Sequence, residues 1–392
     1  MSAAAFLADN EARLIGLRRD IHAHPELGRE EYRTTGLVAD TLSAAGLSPR
    51  LLPEGTGLLC DIGPQPPEVA LRADLDALPI PDAKEVSYRS TVDGVTHACG
   101  HDVHTTVVLG AGLALAGSAA RGELGHGVRL VFQPAEEVIP GGALDVIRAG
   151  GLDGIRRLYA VHCDPSIEVG TVGLRTGAVT AASDLLEVRL SGPGGHTARP
   201  HLSADLVGAL GAVITATPGL LARRADPRSG TTLVWGQVSA GTVANAIPRH
   251  GVVRGTLRTL SRETWDALPP LVDRVVRDVV APYGVGIEIS HVRGVPPVVN
   301  DPDCVEVLAA AATSTPGGLV GETAQSLGGE DFGWYLDQVP GALARLGVRA
   351  PASPVLYDLH QSSFDVDERC IGIGVSLLTG VALTGSPPVS SD

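Results

Sequence analysis

Within eight residues, His97-Ala98-Cys99-Gly100-His101-Asp102-Val103-His104, the chain carries three imidazoles, a thiol and a carboxylate. Cys99 and His101 lie two apart on an irregular, glycine-containing segment, so both can turn toward one ion. A thiolate with an imidazole suits Zn²⁺ and its neighbours. The same pattern also fits a polar loop with a buried cysteine. A second concentration is Glu136-Glu137, just after the strand-like run Val128 to Phe132. Adjacent acids in a loop point different ways, so one can bind a cation while the other handles protons. The alternative is a solvated acidic pair, as expected of Glu30-Glu31 on its helix. Position favours chemistry at Glu136-Glu137, because α/β proteins place their sites where sheet strands end.

Two further histidines end short apolar stretches. His162 closes Leu158-Tyr159-Ala160-Val161, and His360 follows Leu359. A lone histidine after a strand is more often structural than a ligand. Cys163 is expected to point away from His162 and pack, since strand neighbours alternate. Asp74 and Asp76 follow the run Val69 to Ala73 and are placed to orient ligands. Taken together, Cys99, His101, Glu137, His162 and His360 are too many for one tetrahedral ion. They suit two ions about 3.5–4 Å apart with a shared ligand and a bridging water. Glu136 is then the spare carboxylate, set to take that water's proton. Weaker patterns fall away: Ser191-Gly192-Pro193-Gly194-Gly195-His196 matches no phosphate loop, and no GxSxG elbow occurs. Of Arg249, Arg254 and Arg258, most are read as solvated.

These residues need elements to bring them together. Leu7 to Ala23 and Glu30 to Ala45 read as helices, the second ended by Gly46. Strands are expected at 58–62, 69–73, 128–132 and 157–161, with helices at 105–119 and 142–149 between them. Alternation of this kind, with several strands continuously apolar, predicts an α/β catalytic domain with a central, largely parallel sheet flanked by helices. From Ser183 to His291 the rhythm changes to β-α-β-β-α-β, with Ser261 capping a long helix from Trp265 to Val280. The predicted organisation is a catalytic domain in two parts, 1–182 and 293–392. A ferredoxin-like α+β domain at 183–292 is inserted between them as a lid and dimerisation element. A Ser/Pro-rich tail follows Gly385.

Composition sets the outer bounds. The 392 residues carry a net charge of −14, against a nucleic-acid partner, which would meet a basic face. Lys84 is the single lysine, and nearly all positive charge is arginine. The five cysteines, Cys60, Cys99, Cys163, Cys304 and Cys370, form no CxxC pair, which fits a reducing compartment. The N-terminus lacks the pattern of a signal peptide. The longest apolar run, Val107 to Ala120, falls below the roughly 18 residues of a membrane span. The expectation is a cytoplasmic protein without a membrane or nucleic-acid partner.

The ordered motifs resemble the aminoacylase and carboxypeptidase-like metallopeptidase family, closest to its N-acyl amino acid amidohydrolases, such as hippurate and auxin-conjugate hydrolases. The matching residues are His22-Ala23-His24-Pro25-Glu26, Arg72 to Pro79, His97 to His104, Gln133 to Glu137, Ala160 to His162, Gly194-Gly195-His196, Asn245 to Pro248, Gly329 to Phe332, and Leu359-His360 to Asp365. They run in family order over nearly the whole chain. Two departures are small: Val103 stands where the family usually has Gly, and Gly329 where Ser is commoner.

The resemblance implies that Cys99, His101, Glu137, His162 and His360 hold two divalent ions, Zn²⁺ or Mn²⁺ first and Co²⁺ or Ni²⁺ also acceptable, with Cys99 bridging. Glu136 is then general base and acid, and Asp74 orients the ligands. His196 helps hold the oxyanion, Asn245 meets the substrate, and Arg258 pairs with its carboxylate. The implied reaction is cleavage of an N-acyl amino acid to a carboxylic acid and a free amino acid, by a homodimer or homotetramer joined through the lid. A dipeptidase or carboxypeptidase of the same chemistry, and an inactive binding protein, are the alternatives. Phe332, Trp334 and Tyr335 offer rings for a substrate pocket.

Overall fold

A computed structural model describes residues 3–315, 317–353 and 357–384. The tail after Gly385 lies outside the described residues. The chain divides into two compact units, each considered by itself. The first comprises Met1–Gly177, Val299–Ala324 and Asp331–Asp392; the second comprises Ala178–Val298 and Gln325–Glu330.

The first unit is a mixed α/β layer. Its sheet runs in the order Arg50–Leu51, Leu58–Ile62, Gly127–Gln133, Pro67–Asp74, Arg157–Glu168, Gly341–Arg349, Thr171–Leu174, Leu319–Glu322. The four central strands, Gly127–Gln133 through Gly341–Arg349, are parallel. Every residue of Gly127–Gln133 is buried. A strand covered on both faces has no solvent side to alternate with, so it is mostly apolar, and its buried Arg129 is paired with Asp61. Helices Ala3–Ala23, His101–Ala120 and Arg369–Thr384 pack together, and Phe6, Leu14, Val107, Leu115, Leu130, Leu346 and Val375 join one core. Lys84 is buried here too, its Nζ 3.1 Å from Asp82 Oδ1.

Several boundaries differ from the sequence reading. The helix expected at 105–119 begins at His101, so three of the clustered side chains sit in its first turn rather than on a loop. The strand expected to end at Val161 continues to Glu168, paired in parallel with Gly341–Arg349. Among the described residues two helices, His101–Ala120 and Leu206–Arg224, are long and apolar enough to cross a bilayer, longer than the longest apolar run read from the sequence. The first is a core helix, apolar because it is enclosed on most sides.

The second unit holds a four-stranded sheet in the order Thr232–Ala240, His250–Thr259, Ala182–Ser191, Gly286–Val295, antiparallel throughout. Helices Leu206–Arg224 and Arg262–Val280 pack on it through Leu210, Val213, Leu268, Val272 and Val276. The Ser261 hydroxyl caps the second helix, accepting from the Thr264 N–H at 3.1 Å. Asp205 caps the first by accepting from Gly208.

The central sheet should be the element least tolerant of cavities. Leu130→Ala, at a fully buried position, is expected to cost about 2–5 kcal/mol. Chemical denaturation would read this as a lower midpoint.

Candidate metal centre

In the first unit, the parallel strand ends and the loops that follow them bring the candidate ligands together. Cys99, His101 and His162 form one group of facing ligand atoms; Cys99, Glu137 and His360 form a second; His101, Glu136 and Glu137 form a third. Within each group the atoms lie within 4.8 Å of one another. Cys99 belongs to two of the groups. Cys99 Sγ stands 3.6 Å from His162 Nε2, and His360 Nε2 stands 3.3 Å from Glu137 Oε1. His101 Nε2 is 3.8 Å from Asp74 Oδ2 and 3.9 Å from both Glu136 Oε2 and Glu137 Oε1. The Cys99–His162 contact is within hydrogen-bond reach for sulfur, and the His101 spacings are too long for hydrogen bonds. They suit neighbours on a common ion, whose ligands at about 2.0–2.3 Å stand about 3–4 Å apart.

Hydrogen bonding sorts the histidines. A peptide carbonyl only accepts, so His101 Nδ1 donates to Asp76 O at 2.8 Å and His162 Nδ1 donates to Cys163 O at 2.8 Å. Each ring therefore turns an unprotonated Nε2 toward the site when neutral. His101 Nε2 is buried and, among the described residues, has no hydrogen-bond partner. An orphan of this kind is costly unless a cation meets it. His104 differs: its Nε2 accepts from the Cys163 N–H and its Nδ1 donates to Asp74 Oδ1, at 2.8 and 2.7 Å. Both nitrogens are used, so His104 is a strut. His97 is buried and pushed down to about 3 by burial, hence neutral.

The electrostatics fit a cation. Burial opposes charge on His101, yet Asp74, Asp76 and Glu137 push it up to about 10. The field that holds a proton there would hold a divalent ion. Burial also opposes ionised Asp74, but His101, His104 and Arg72 hold it well below the carboxylate range. Burial, Arg345 and His104 keep His162 neutral and ready to ligate. The residues present thus fit a divalent metal centre.

Local backbone sets this geometry. Gly100, with φ +87°, caps the His101–Ala120 helix in the left-handed region. A Cβ there would meet Cys163 Sγ at 2.7 Å. Only glycine lets Cys99 and His101 flank so close an approach. Cys163 itself packs into the core. His360 is held at φ +62° while its N–H bonds Ala98 O at 2.8 Å. Asp76 was legible only as an acid after a strand. It accepts from the Glu136 N–H through Oδ1 at 3.0 Å and from the Glu137 N–H through Oδ2 at 2.9 Å.

The other residues singled out in the sequence are placed as follows. Asp74 anchors His104 and Arg72, the latter at 2.7 Å. Phe332 and Tyr335 are fully buried, the Tyr335 hydroxyl donating to Gln133, so they are core rather than pocket rings. Glu31 is not a solvated partner of Glu30: it is fully buried and accepts from the Ala135 N–H at 2.7 Å. Burial, with the charge of Asp76, pushes it up to about 7. No pattern in the sequence marks it, because its partner is a peptide 104 residues away. His196, Asn245 and Arg258 belong to the second unit. There His196 pairs with Ala246 across two short strands, next to Asn245, whose carbonyl accepts from Thr197. The Arg258 guanidinium donates to the Leu327 carbonyl.

Comparison with known proteins agrees with this geometry. Residues 70–384 match Peptidase family M20/M25/M40. A Rhodococcus jostii protein named as a glutamate–cysteine ligase is 52% identical over 377 residues, covering 96% of this chain; the chain spans 47% of that protein. N-acetyl-L-cysteine deacetylase of Bacillus subtilis is 36% identical over 367 residues, covering 93% of this chain and 86% of the relative. A solved Bacillus subtilis structure, described as a dinuclear metal binding peptidase, is similar with a TM-score of 0.84 and 32% identity. It aligns over 97% of this chain and 98% of its own.

Two outcomes follow. Gly100→Ala is expected to weaken metal binding by about tenfold or more, read by competition with a chelator. Glu31, raised from 4.5 to about 7, binds a proton more tightly folded than unfolded. Its contribution to stability is present below pH 4.5 and is lost as pH rises through about 7. Glu31→Gln should flatten that part of the melting-temperature profile between about pH 5 and 8.

Proposed function

This chain belongs to Peptidase family M20/M25/M40 and is a metal-dependent amidohydrolase, and on that premise we propose that it cleaves N-acyl amino acids to a carboxylic acid and a free amino acid. One observation carries the reading. A single carboxylate, Asp76, fixes the backbone of both Glu136 and Glu137, so two adjacent acids have separate stations. Both acids stand 3.9 Å from His101 Nε2, and Glu137 also reaches His360 and Cys99. Similarity to a deacetylase of an N-acetyl amino acid supports the substrate class. The ligase name of the Rhodococcus relative is not brought to this chain, which covers less than half of it.

Cys99, His101, Glu137, His162 and His360 would hold two divalent ions. Bound there, the ions supply Lewis acidity that lowers the pKa of a water and polarises the acyl carbonyl. Glu136 takes the proton from the attacking water and delivers it to the leaving amine, so one carboxylate serves as base and then acid. Asp74 keeps Arg72 and His104 in place behind the ligands. Cys99 favours Zn²⁺, and the carboxylate and imidazoles also accept Mn²⁺, Co²⁺ or Ni²⁺.

The test uses chelated protein reloaded separately with Zn²⁺, Mn²⁺ and Co²⁺ against N-acyl amino acids and the matching dipeptides. Metal-dependent release of free amino acid from the acyl compounds is expected. Turnover of dipeptides alone would overturn the substrate class. Glu136→Ala should lose about 10²–10⁴-fold in kcat with metal content unchanged. Activity within tenfold of the unaltered protein would remove Glu136 from the proton path.

A further inference from the structure

The N-terminal segment Glu26-Leu27-Gly28-Arg29-Glu30-Glu31 takes no part in the chemistry above, yet it lies against the loop that carries that chemistry. Leu27 bridges Ala77 in parallel, and Ala77 N–H donates to Glu26 O at 2.8 Å. At Gly28 an added Cβ would stand 2.7 Å from Val138 Cγ2 and 3.2 Å from both Ala135 Cα and Asp76 Oδ2. The contact is close enough that no side chain fits between segment and loop.

From this segment Glu31 reaches the loop. Its Oε1 accepts from the Ala135 N–H at 2.7 Å, while Asp76 accepts from the next two peptides, Glu136 and Glu137. Three successive N–H groups are therefore held by two carboxylates. Ala135 is itself left-handed, at φ +53°. An alanine rarely adopts that conformation without an outside hold. The first of the three bonds fixes this peptide, and the next residue is Glu136. Glu31 Oε2, by contrast, is buried with no hydrogen-bond partner among the described residues. An unpartnered buried oxygen is a cost that the Oε1 bond to Ala135 must offset.

We propose that Glu31 is a positioning residue for Glu136: its carboxyl holds the left-handed Ala135 peptide and thereby sets where the neighbouring carboxylate stands. The inference rests on the reading of Glu136 as the proton carrier. Release of Ala135 lets that peptide relax and swing Glu136 away from the reacting water, whereas Glu137 keeps its own hold through Asp76. The effect should fall on turnover more than on substrate or metal binding.

The experiment compares full-length Glu31→Ala and Glu31→Gln with the unaltered protein, all loaded with Mn²⁺. Kinetics use N-acetyl-L-cysteine. Metal per chain is counted, and amide hydrogen exchange is followed in peptides spanning 133–138, with helix 101–120 as internal control. Glu31→Ala is expected to lower kcat about tenfold or more, with KM within about threefold and metal content unchanged. Exchange at 133–138 should rise about tenfold while the control helix is unmoved. Glu31→Gln keeps an acceptor of the same reach, so it should recover both kcat and protection. Should Glu31→Ala not fold, Glu31→Asp takes its place with the same expectation, because it keeps the charge but shortens the reach by one methylene. Unchanged exchange at 133–138, kcat within about twofold, or a rise in exchange shared by the control helix overturns the proposal. Absence of turnover by the unaltered protein would refute the substrate reading alone, and the exchange measurement would still decide the hold on the loop.

Discussion

Buried like charges need an answer, and in this protein the answer organises the strand ends. Around His101 Nε2 stand Asp74, Glu136 and Glu137, each within 3.9 Å. Two carboxylates about 4 Å apart repel by about 4 kcal/mol at an effective dielectric near 20. Each acid is therefore given its own positive partner. Asp74 has Arg72 and His104, and Asp76 has two peptide N–H groups. Glu136 and Glu137 face His101, and Glu137 also pairs with His360. The arrangement sorts carboxylates that support from carboxylates that face the centre, by what each one touches rather than by sequence position.

The supports reach across the whole first unit. Arg72 extends from its strand to Asp74, Gln133 and Asp331, at 2.7–2.9 Å. Asp331 in turn accepts from Gln133 and from the Ala143 N–H. A residue from the last third of the chain thus fastens the strand that leads into Glu136-Glu137 to the helix after it. The network is fully buried and each named member is bonded, the condition under which a polar interior specifies one arrangement.

The sequence carried the chemistry better than its supports. Mostly apolar runs such as Val128 to Phe132 announce buried strands, because a polar group there needs a partner, as Arg129 has in Asp61, and the side chains at their ends then declare themselves. Which of His97, His101 and His104 has a nitrogen to offer was not legible. That depends on the Asp76 carbonyl and the Cys163 amide, whose nearness is a property of the sheet. Glu31 was misread for a similar reason: beside Glu30 it looks like a solvated pair, and only the loop folded over it makes it interior. Of the rings after Asp331, Phe332 and Tyr335 fill the core; aromatic residues read alike whether they pack inside or line a pocket. The second unit was easier, since its β-α-β-β-α-β rhythm arises from local alternation and from caps such as Ser261.

One quiet feature has practical weight. The sole lysine of the 392 residues is enclosed and ion-paired with Asp82. The side chains therefore offer no exposed primary amine along the sequence. Acylating labels, amine-coupled resins and lysine-directed crosslinkers have no surface side chain to attack, and trypsin-like cleavage of the accessible chain must occur at arginine alone.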